Sequence, residues 1–218
     1  MRRRCPAAPS ILASEALLPV LSDDLLRGLV SFFVVIDPVG NLLIYHVLTQ
    51  DLDRKGRVAV AAGSTGVAFL TILLFVLGGT AVLDYLNISV SSFQISAGVL
   101  LAPSAFRLVE YGQPLNFEQA AEDVTPLQLT VVPLAIPLLA GPGALATAVS
   151  FASVLGRAET LVSAGLVLAL SAAVFLVGGR IFQLLGPALL RVLSRLVGIA
   201  LMAIAVDFIV EGLADIFA

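Results

Sequence analysis

Long apolar segments alternate with short polar breaks along most of this 218-residue chain. A helix that crosses a bilayer needs about 20 mostly apolar residues. Six segments meet this requirement, at residues 25–48, 58–82, 88–109, 127–155, 161–177 and 189–210. The one long polar stretch, residues 110–126, carries Glu118, Glu122 and Asp123 and is predicted to be a loop. The pattern predicts an all-α integral membrane protein with six transmembrane helices.

Composition agrees with this class and excludes several others. The chain is 59% hydrophobic and only 12% charged, whereas a soluble domain is about 25% charged. Mean hydropathy is +1.06. A net charge of −3, without a basic patch mixed with aromatic residues, argues against a nucleic-acid partner. One Cys and one His, without a metal-binding motif, predict neither a metal nor another cofactor.

The chain divides into an N-terminal arm, residues 1–22, and a single transmembrane domain, residues 23–218. Arg2, Arg3 and Arg4 precede a short apolar stretch, which loosely resembles the start of a signal peptide. Ser14, Glu15 and Pro19 interrupt that stretch. We therefore expect either a mobile arm or a start codon assigned too early.

Basic residues near the span ends are distributed unequally between the two faces of the membrane. Cytoplasmic loops carry an excess of Lys and Arg. One face has only Arg27 and Arg157, with the distal arginines at positions 2–4. The opposite face collects Arg54, Lys55, Arg57, Arg107, Arg180, Arg191 and Arg195. We expect this second face to be cytoplasmic and both termini to lie outside.

The two halves of the chain resemble each other. Matching residues recur about 100 positions apart: Gly78-Gly79 with Gly178-Gly179, and Gly98, Leu101 and Ala105 with Gly198, Leu201 and Ala205. Spans one to three, residues 25–109, thus match spans four to six, residues 127–212. Because each repeat has an odd number of spans, the two repeats must be inserted with opposite topology.

Pro and Gly interrupt the first and fourth spans at corresponding places. The first break reads Ile36-Asp37-Pro38-Val39-Gly40-Asn41, and the second lies in residues 132–144 and contains Gly141-Pro142-Gly143-Ala144. A lipid-exposed helix must satisfy its backbone internally, so such breaks are tolerated where they face protein or a cavity. We therefore predict that helices 1 and 4 are discontinuous, as in transporters that bind substrate at the midplane. A mere kink is the alternative.

Asp37 is the ionisable residue nearest the middle of the first span. A charged Asp at a helix centre costs about 2.5–3.5 kcal/mol on insertion scales, so it is rarely found there without a role. Pro38 disfavours helical geometry at Asp37. Gly40 permits a positive φ and Asn41 is able to cap a helix. The N-terminus of a second half-helix would attract an anionic group such as a carboxylate. Alternatively, Asp37 only caps its own helix.

The second break also interrupts a helix and starts a second half-helix, but it is built from small residues. Gly141, Pro142, Gly143 and Ala144 leave the backbone exposed and leave room for a ligand. With Asp37, Pro38, Gly40 and Asn41 they form the predicted substrate site, a small pocket at mid-depth lined mostly by backbone.

These two segments resemble the hallmark segments of the MarC family of bacterial and archaeal membrane proteins. The resemblance covers residues 25–212. It implies a six-span protein of the cytoplasmic (inner) membrane, and its SnatA branch is described as transporting small neutral amino acids such as glycine and alanine. The eight residues above correspond to the substrate-site breaks of the family. Pro103 departs from the aliphatic run expected in the third span and would alter the pocket wall.

The leading hypothesis is a secondary transporter of small neutral amino acids that works by alternating access. The chain has no Walker motif for ATP, so an ion gradient or the gradient of the substrate would drive it. Asp37 is titratable, which makes a proton the candidate coupling ion. An intramembrane hydrolase is disfavoured because Asp37 has no evident second acid and His46 lies near the cytoplasmic rim. A sensor or assembly factor that does not transport is the remaining alternative.

Overall fold

The computed structural model of the protein describes residues 23–112 and 130–217. Within these ranges the structure is helical and contains no strand. The elements are α1 (Asp23–Ile36), α2 (Pro38–Thr49), α3 (Arg54–Tyr85), α4 (Val90–Tyr111), α5 (Thr130–Leu139), α6 (Pro142–Val154) and a final helix, Arg157–Phe217. Non-helical torsions at Gly186, φ 70° and ψ 161°, interrupt the final helix. Its two parts are α7 (Arg157–Ile181) and α8 (Ala188–Phe217).

The helices account for five to six membrane spans. Five segments are long and apolar enough to cross a bilayer: Asp23–Thr49, α3, α4, α7 and α8. A sixth span results if α5 and α6, which meet at a bend of 55°, are taken together. The predicted class of all-α, multi-pass membrane protein is confirmed. The predicted arm, residues 1–22, and residues 113–126 of the predicted loop lie outside the described residues.

Helix ends lie where polar or flexible residues satisfy the terminal backbone groups. The carboxylate of Asp53 accepts a 2.8 Å hydrogen bond from the Gly56 amide at the start of α3. The Ser89 hydroxyl accepts one of 3.0 Å from Ser92 at the start of α4. Gly112 has a φ of 71° and ends α4. These caps stabilise the helix ends at the turns between spans.

Large apolar side chains lie on both the inside and the outside of the bundle. Phe32, Ile36 and Ile72 are fully buried, whereas Leu74 and Ile199 are 62% and 58% exposed. Lipid tails are as apolar as Leu, so outward-facing Leu and Ile carry no penalty in a bilayer. The exterior of the bundle is therefore suited to lipid.

Glycines set the closest approaches between helices. A Cβ on Gly98 of α4 would lie 2.5 Å from the carbonyl oxygen of Ala205 in α8. A Cβ on Gly198 of α8 would lie 3.0 Å from the Cβ of Leu108 in α4. The helices α4 and α8 thus cross in contact at glycines that each of them supplies.

A second pair of glycines joins each half of the chain to the other. Gly79 of α3 packs against Val149 of α6, where a Cβ would lie 2.7 Å from the Val149 side chain. Gly178 of α7 packs against Leu42 of α2 so closely that a Cβ would collide with it. Each short helix therefore packs on a long helix from the opposite half.

Candidate functional site

The first break is a single residue wide. Helix α1 ends at Ile36 and α2 begins at Pro38, with Asp37 between them at φ 47° and ψ 69°. This left-handed conformation is uncommon outside Gly, but Asp and Asn adopt it more readily than other residues. The Asp37 amide still donates to the Phe33 carbonyl at 3.0 Å. Pro38 at the first helical position fits there because it has no N–H to leave unsatisfied.

Two buried polar side chains satisfy the backbone on either side of this break. Oδ1 of Asp37 accepts a 2.9 Å hydrogen bond from the Gly40 amide, which makes Asp37 the N-cap of α2. Nδ2 of Asn41 donates to the Ile36 carbonyl, the last residue of α1, at 2.6 Å. Asp37 and Asn41 are only 5% and 3% exposed. A Cβ on Gly40 would collide with the Asp37 carboxylate, so the cap requires glycine there.

The second break uses no side chain at all. Helix α6 begins at Pro142 after Gly141, which has extended torsions and makes no side-chain cap. The amides of Gly143 and Ala144 in the first turn are thus left without a capping side chain. A Cβ on Gly143 would lie 2.5 and 2.6 Å from the two Cδ atoms of Leu101 and 2.8 Å from Cγ1 of Val35, so a larger residue there would require these side chains to move.

Helix α5 leads to this break through an irregular backbone. Val132 and Ile136 have extended torsions, with φ near −130°. Each precedes a proline, Pro133 and Pro137, and a residue before proline is driven out of the helical region. The Ala140 amide donates to the carbonyl of Ala135, five residues earlier, at 2.8 Å. The sequence analysis did not predict this irregularity, although its signal is the spacing of the two prolines.

Residues of both breaks line one cavity of about 110 Å³. Six of the eight predicted site residues line it: Asp37, Asn41, Gly141, Pro142, Gly143 and Ala144. Pro38 and Gly40 do not line it, but they shape the first break that supplies Asp37 and Asn41. The cavity has the volume of a few water molecules, each about 30 Å³. It is much smaller than a site for a drug-sized ligand, about 300–1,000 Å³.

Side chains that the sequence analysis did not assign form the rest of the wall. They are Val35, Ile36, Leu101, Ser104, Leu108, Pro137, Leu138 and Leu201. Leu101, Ser104 and Leu108 lie on one face of α4, three and four residues apart, and this spacing was the available signal. Leu101 and Leu201 correspond in the two sequence halves, and both line the cavity. Pro103 does not line it, and α4 continues through that residue.

The wall is mostly apolar, and its polar side chains are Asp37, Asn41 and Ser104. Asp37 is the only ionisable residue among them. Within residues 23–112 and 130–217, no three His, Cys, Asp or Glu side chains come together in a way that would hold a metal ion. Such a wall is able to orient a small polar molecule.

The fold and this cavity define a multi-pass helical membrane protein with a small site lined by both helix breaks. Residues 23–217 match the model of the "MarC family integral membrane protein". The chain belongs to the MarC family.

Curated relatives agree with this assignment. The "UPF0056 membrane protein" of Archaeoglobus fulgidus is 32% identical over 191 residues, which cover 85% of this chain and 90% of the relative. The "UPF0056 membrane protein MJ0972" of Methanocaldococcus jannaschii is 30% identical, covering 87% and 86%. The "UPF0056 membrane protein YvbG" of Bacillus subtilis is 28% identical, covering 86% and 93%. These proteins are similar along nearly their whole length. No solved structure matches the chain.

Proposed function

We propose that this protein is a secondary transporter of small neutral amino acids of the glycine and alanine type. The observation that carries this proposal is the cavity of about 110 Å³ that both helix breaks line. A broken helix inside a membrane protein is tolerated where it lines a cavity, and transporters bind substrate at such places.

The chemistry of the two breaks fits the two ends of an amino acid. The first turn of α6 offers the uncapped amides of Gly143 and Ala144, and a helix N-terminus favours an anion such as the substrate carboxylate. The N-terminus of α2 already has a carboxylate, that of Asp37. A second anion would be repelled there, whereas the substrate ammonium would be attracted.

The size and apolar lining of the cavity favour substrates with small side chains. Leu101, Leu201 and Val35 line the cavity of about 110 Å³, and the Gly143 backbone lies against Leu101 and Val35. Specificity would come mainly from exclusion of larger side chains.

We further propose that residues 25–109 and 127–212 form inverted repeats, each with one discontinuous span. The contacts of the glycines support this symmetry. Gly79 of the first half contacts α6 of the second, and Gly178 of the second half contacts α2 of the first. In this proposal, alternating access results from movement of one repeat against the other around the cavity.

We propose that Asp37 couples transport to a proton gradient. It is the ionisable side chain of the cavity wall and it is 5% exposed. A carboxyl group that caps α2 and faces the substrate ammonium would change both interactions when it binds or releases a proton.

Counterflow in proteoliposomes tests these proposals. Purified protein should exchange radiolabelled glycine and alanine with saturation, and other small neutral amino acids should compete. Asp37→Asn keeps a capping residue and should lose the response to a pH gradient. Unchanged coupling in Asp37→Asn would contradict the role of the proton. Absence of any flux from folded wild-type protein would contradict transport and favour a sensor or assembly factor.

The orientation with both termini outside is tested separately. Single cysteines near Thr49 and Tyr85, placed in a Cys5→Ser background, should differ in labelling by a membrane-impermeant thiol reagent in intact cells. Labelling at the Thr49 end alone would contradict the proposed orientation.

A further inference from the structure

A second, larger cavity lies at the end of the bundle where α2 ends and α3 begins. Its volume is about 750 Å³, and it shares no lining residue with the cavity between the breaks. Its wall combines the end of α2, the start of α3 and the end of α7. The substrate site proposed above makes no use of it.

The charged side chains of this wall are all basic. Arg54, Arg57 and Arg180 line the cavity together with His46, and no Asp or Glu does. The nearest capping acid, Asp53, has its carboxylate directed to the Gly56 amide at 2.8 Å. The cavity is therefore an electropositive concavity, which concentrates anions.

Arg57 has a structural role within this cluster. Its Nε donates to the carbonyls of Thr49 and Leu52, both at 3.1 Å, and its Nη2 donates to Gln50 at 2.9 Å. Its own carbonyl accepts a 2.8 Å bond from the Tyr45 hydroxyl. These bonds hold the turn between α2 and α3, so Arg57 adds positive charge from a fixed position.

Arg54 at the start of α3 and Arg180 at the end of α7 both line the cavity, and both are exposed. Neither forms an ion pair with any residue in the described ranges. Arg guanidinium groups bind phosphate with paired hydrogen bonds, so two arginines that line one cavity are suited to binding a phosphate group.

Aromatic and apolar side chains complete the wall of this cavity. The rings of Tyr45 and Phe175 stack at 4.6 Å with an angle of 5° between their planes. At the rim, Val58, Leu176 and Val177 are 43%, 54% and 42% exposed. A basic recess with an apolar rim, at the end of a helical bundle, matches the sites that bind the headgroups of anionic lipids.

We propose that this cavity binds a phosphate group through Arg54 and Arg180, either the headgroup of an anionic phospholipid or a phosphate free in solution. Arg57 contributes charge and holds the shape of the site, and the exposed rim accommodates an acyl chain when the ligand is a lipid.

The experiment uses full-length protein in a neutral detergent and native mass spectrometry, with thermal unfolding as a second readout. The probes are phosphatidylglycerol, phosphatidylcholine and inorganic phosphate. We compare wild type with Arg54→Gln/Arg180→Gln. The matched control is Lys55→Gln/Arg107→Gln, which removes two positive charges without touching the cavity. Size-exclusion chromatography and circular dichroism establish that each variant is folded.

Phosphatidylglycerol should bind the wild type and the control alike. Its affinity for Arg54→Gln/Arg180→Gln should fall by about 30-fold, because each basic residue contributes about fivefold to anionic lipid binding. Binding of phosphatidylglycerol alone identifies a lipid site, and additional binding of inorganic phosphate identifies a site for free anions. Equal losses in both double variants, or equal binding of phosphatidylcholine, would overturn the proposal. This test does not depend on transport.

Discussion

The two helix breaks that line the small cavity differ in whether a side chain caps the first amides of the following helix. At the first, α2 begins with its Gly40 amide bonded to the Asp37 carboxylate and with Asn41 bonded back to Ile36. At the second, α6 begins after Gly141, which has no side chain to offer. The first break is satisfied by its own residues, and the second leaves its amides available. The carboxylate at the first break would attract the ammonium group of a zwitterion. The uncapped helix end at the second break would attract its carboxylate.

The largest expected effect comes from Gly40→Ala, which tests whether the first break depends on its internal cap. The added Cβ collides with the Asp37 carboxylate, so the cap is lost and a buried polar group is left unsatisfied. We expect a loss of about 2–3 kcal/mol in stability, measured by unfolding in detergent. Gly66→Ala is the control because a Cβ there meets nothing within 4 Å. Equal stability of the two variants would contradict the role assigned to the cap.

Gly143→Ala tests whether the second break depends on close packing instead. Its Cβ would lie 2.6 Å from Leu101, and such overpacking costs about 1–3 kcal/mol. Uptake of alanine should fall further than uptake of glycine because the cavity shrinks. The double variant Gly143→Ala/Leu101→Ala should recover part of the stability. A double variant no better than Gly143→Ala would show that this contact is not the cause.

Replacing Asp37 separates its capping role from its charge. Asp37→Ala removes the cap and should cost about 1–2 kcal/mol. Asp37→Asn retains a capping oxygen and should unfold within about 1 kcal/mol of the wild type. Both variants should show a higher KM for glycine, since the charged ammonium partner is gone in each, and the remaining flux should no longer respond to a pH gradient. A wild-type KM together with an unchanged pH response in Asp37→Asn would show that Asp37 acts only as a cap.

Ser104→Ala should give the smallest effect. The side chain lines the cavity but belongs to neither break. Loss of one hydrogen bond to a substrate would raise KM about 2- to 10-fold, at about 0.5–1.5 kcal/mol, and leave unfolding unchanged. An unaltered KM would restrict substrate contacts to the two breaks.

Much of this architecture was predictable because the bilayer imposes simple constraints on sequence. Span lengths follow from bilayer thickness, and the first break follows from Pro38, which disfavours helical geometry at Asp37. The positive φ lies at Asp37 and not at Gly40, and Asp37, not Asn41, caps α2. Helix ends were less predictable. The fifth span, predicted at residues 161–177, extends over Arg157–Ile181 because a helix continues past the apolar core until a polar residue or a loop ends it.

The wall of the cavity was the least predictable part. Ser104 of α4 and Leu201 of α8 both line it, and these two helices contact each other at Gly98 and Gly198. Crossing points depend on contacts between residues far apart in sequence, which no local pattern contains. The capping by Asp37, in contrast, is local, and the sequence analysis included it as one of two roles.

The contrast between the breaks also fits the order in which the chain is made. A ribosome delivers α1 and α2 to the membrane well before α6, since synthesis runs from the N-terminus. During that interval the first break has no partner from the second half, yet Asp37 and Asn41 already bond its exposed backbone. The second break, which has no capping side chain, is synthesised later, after α3 and α4. The nascent chain thus inserts first the break whose backbone is bonded by its own residues.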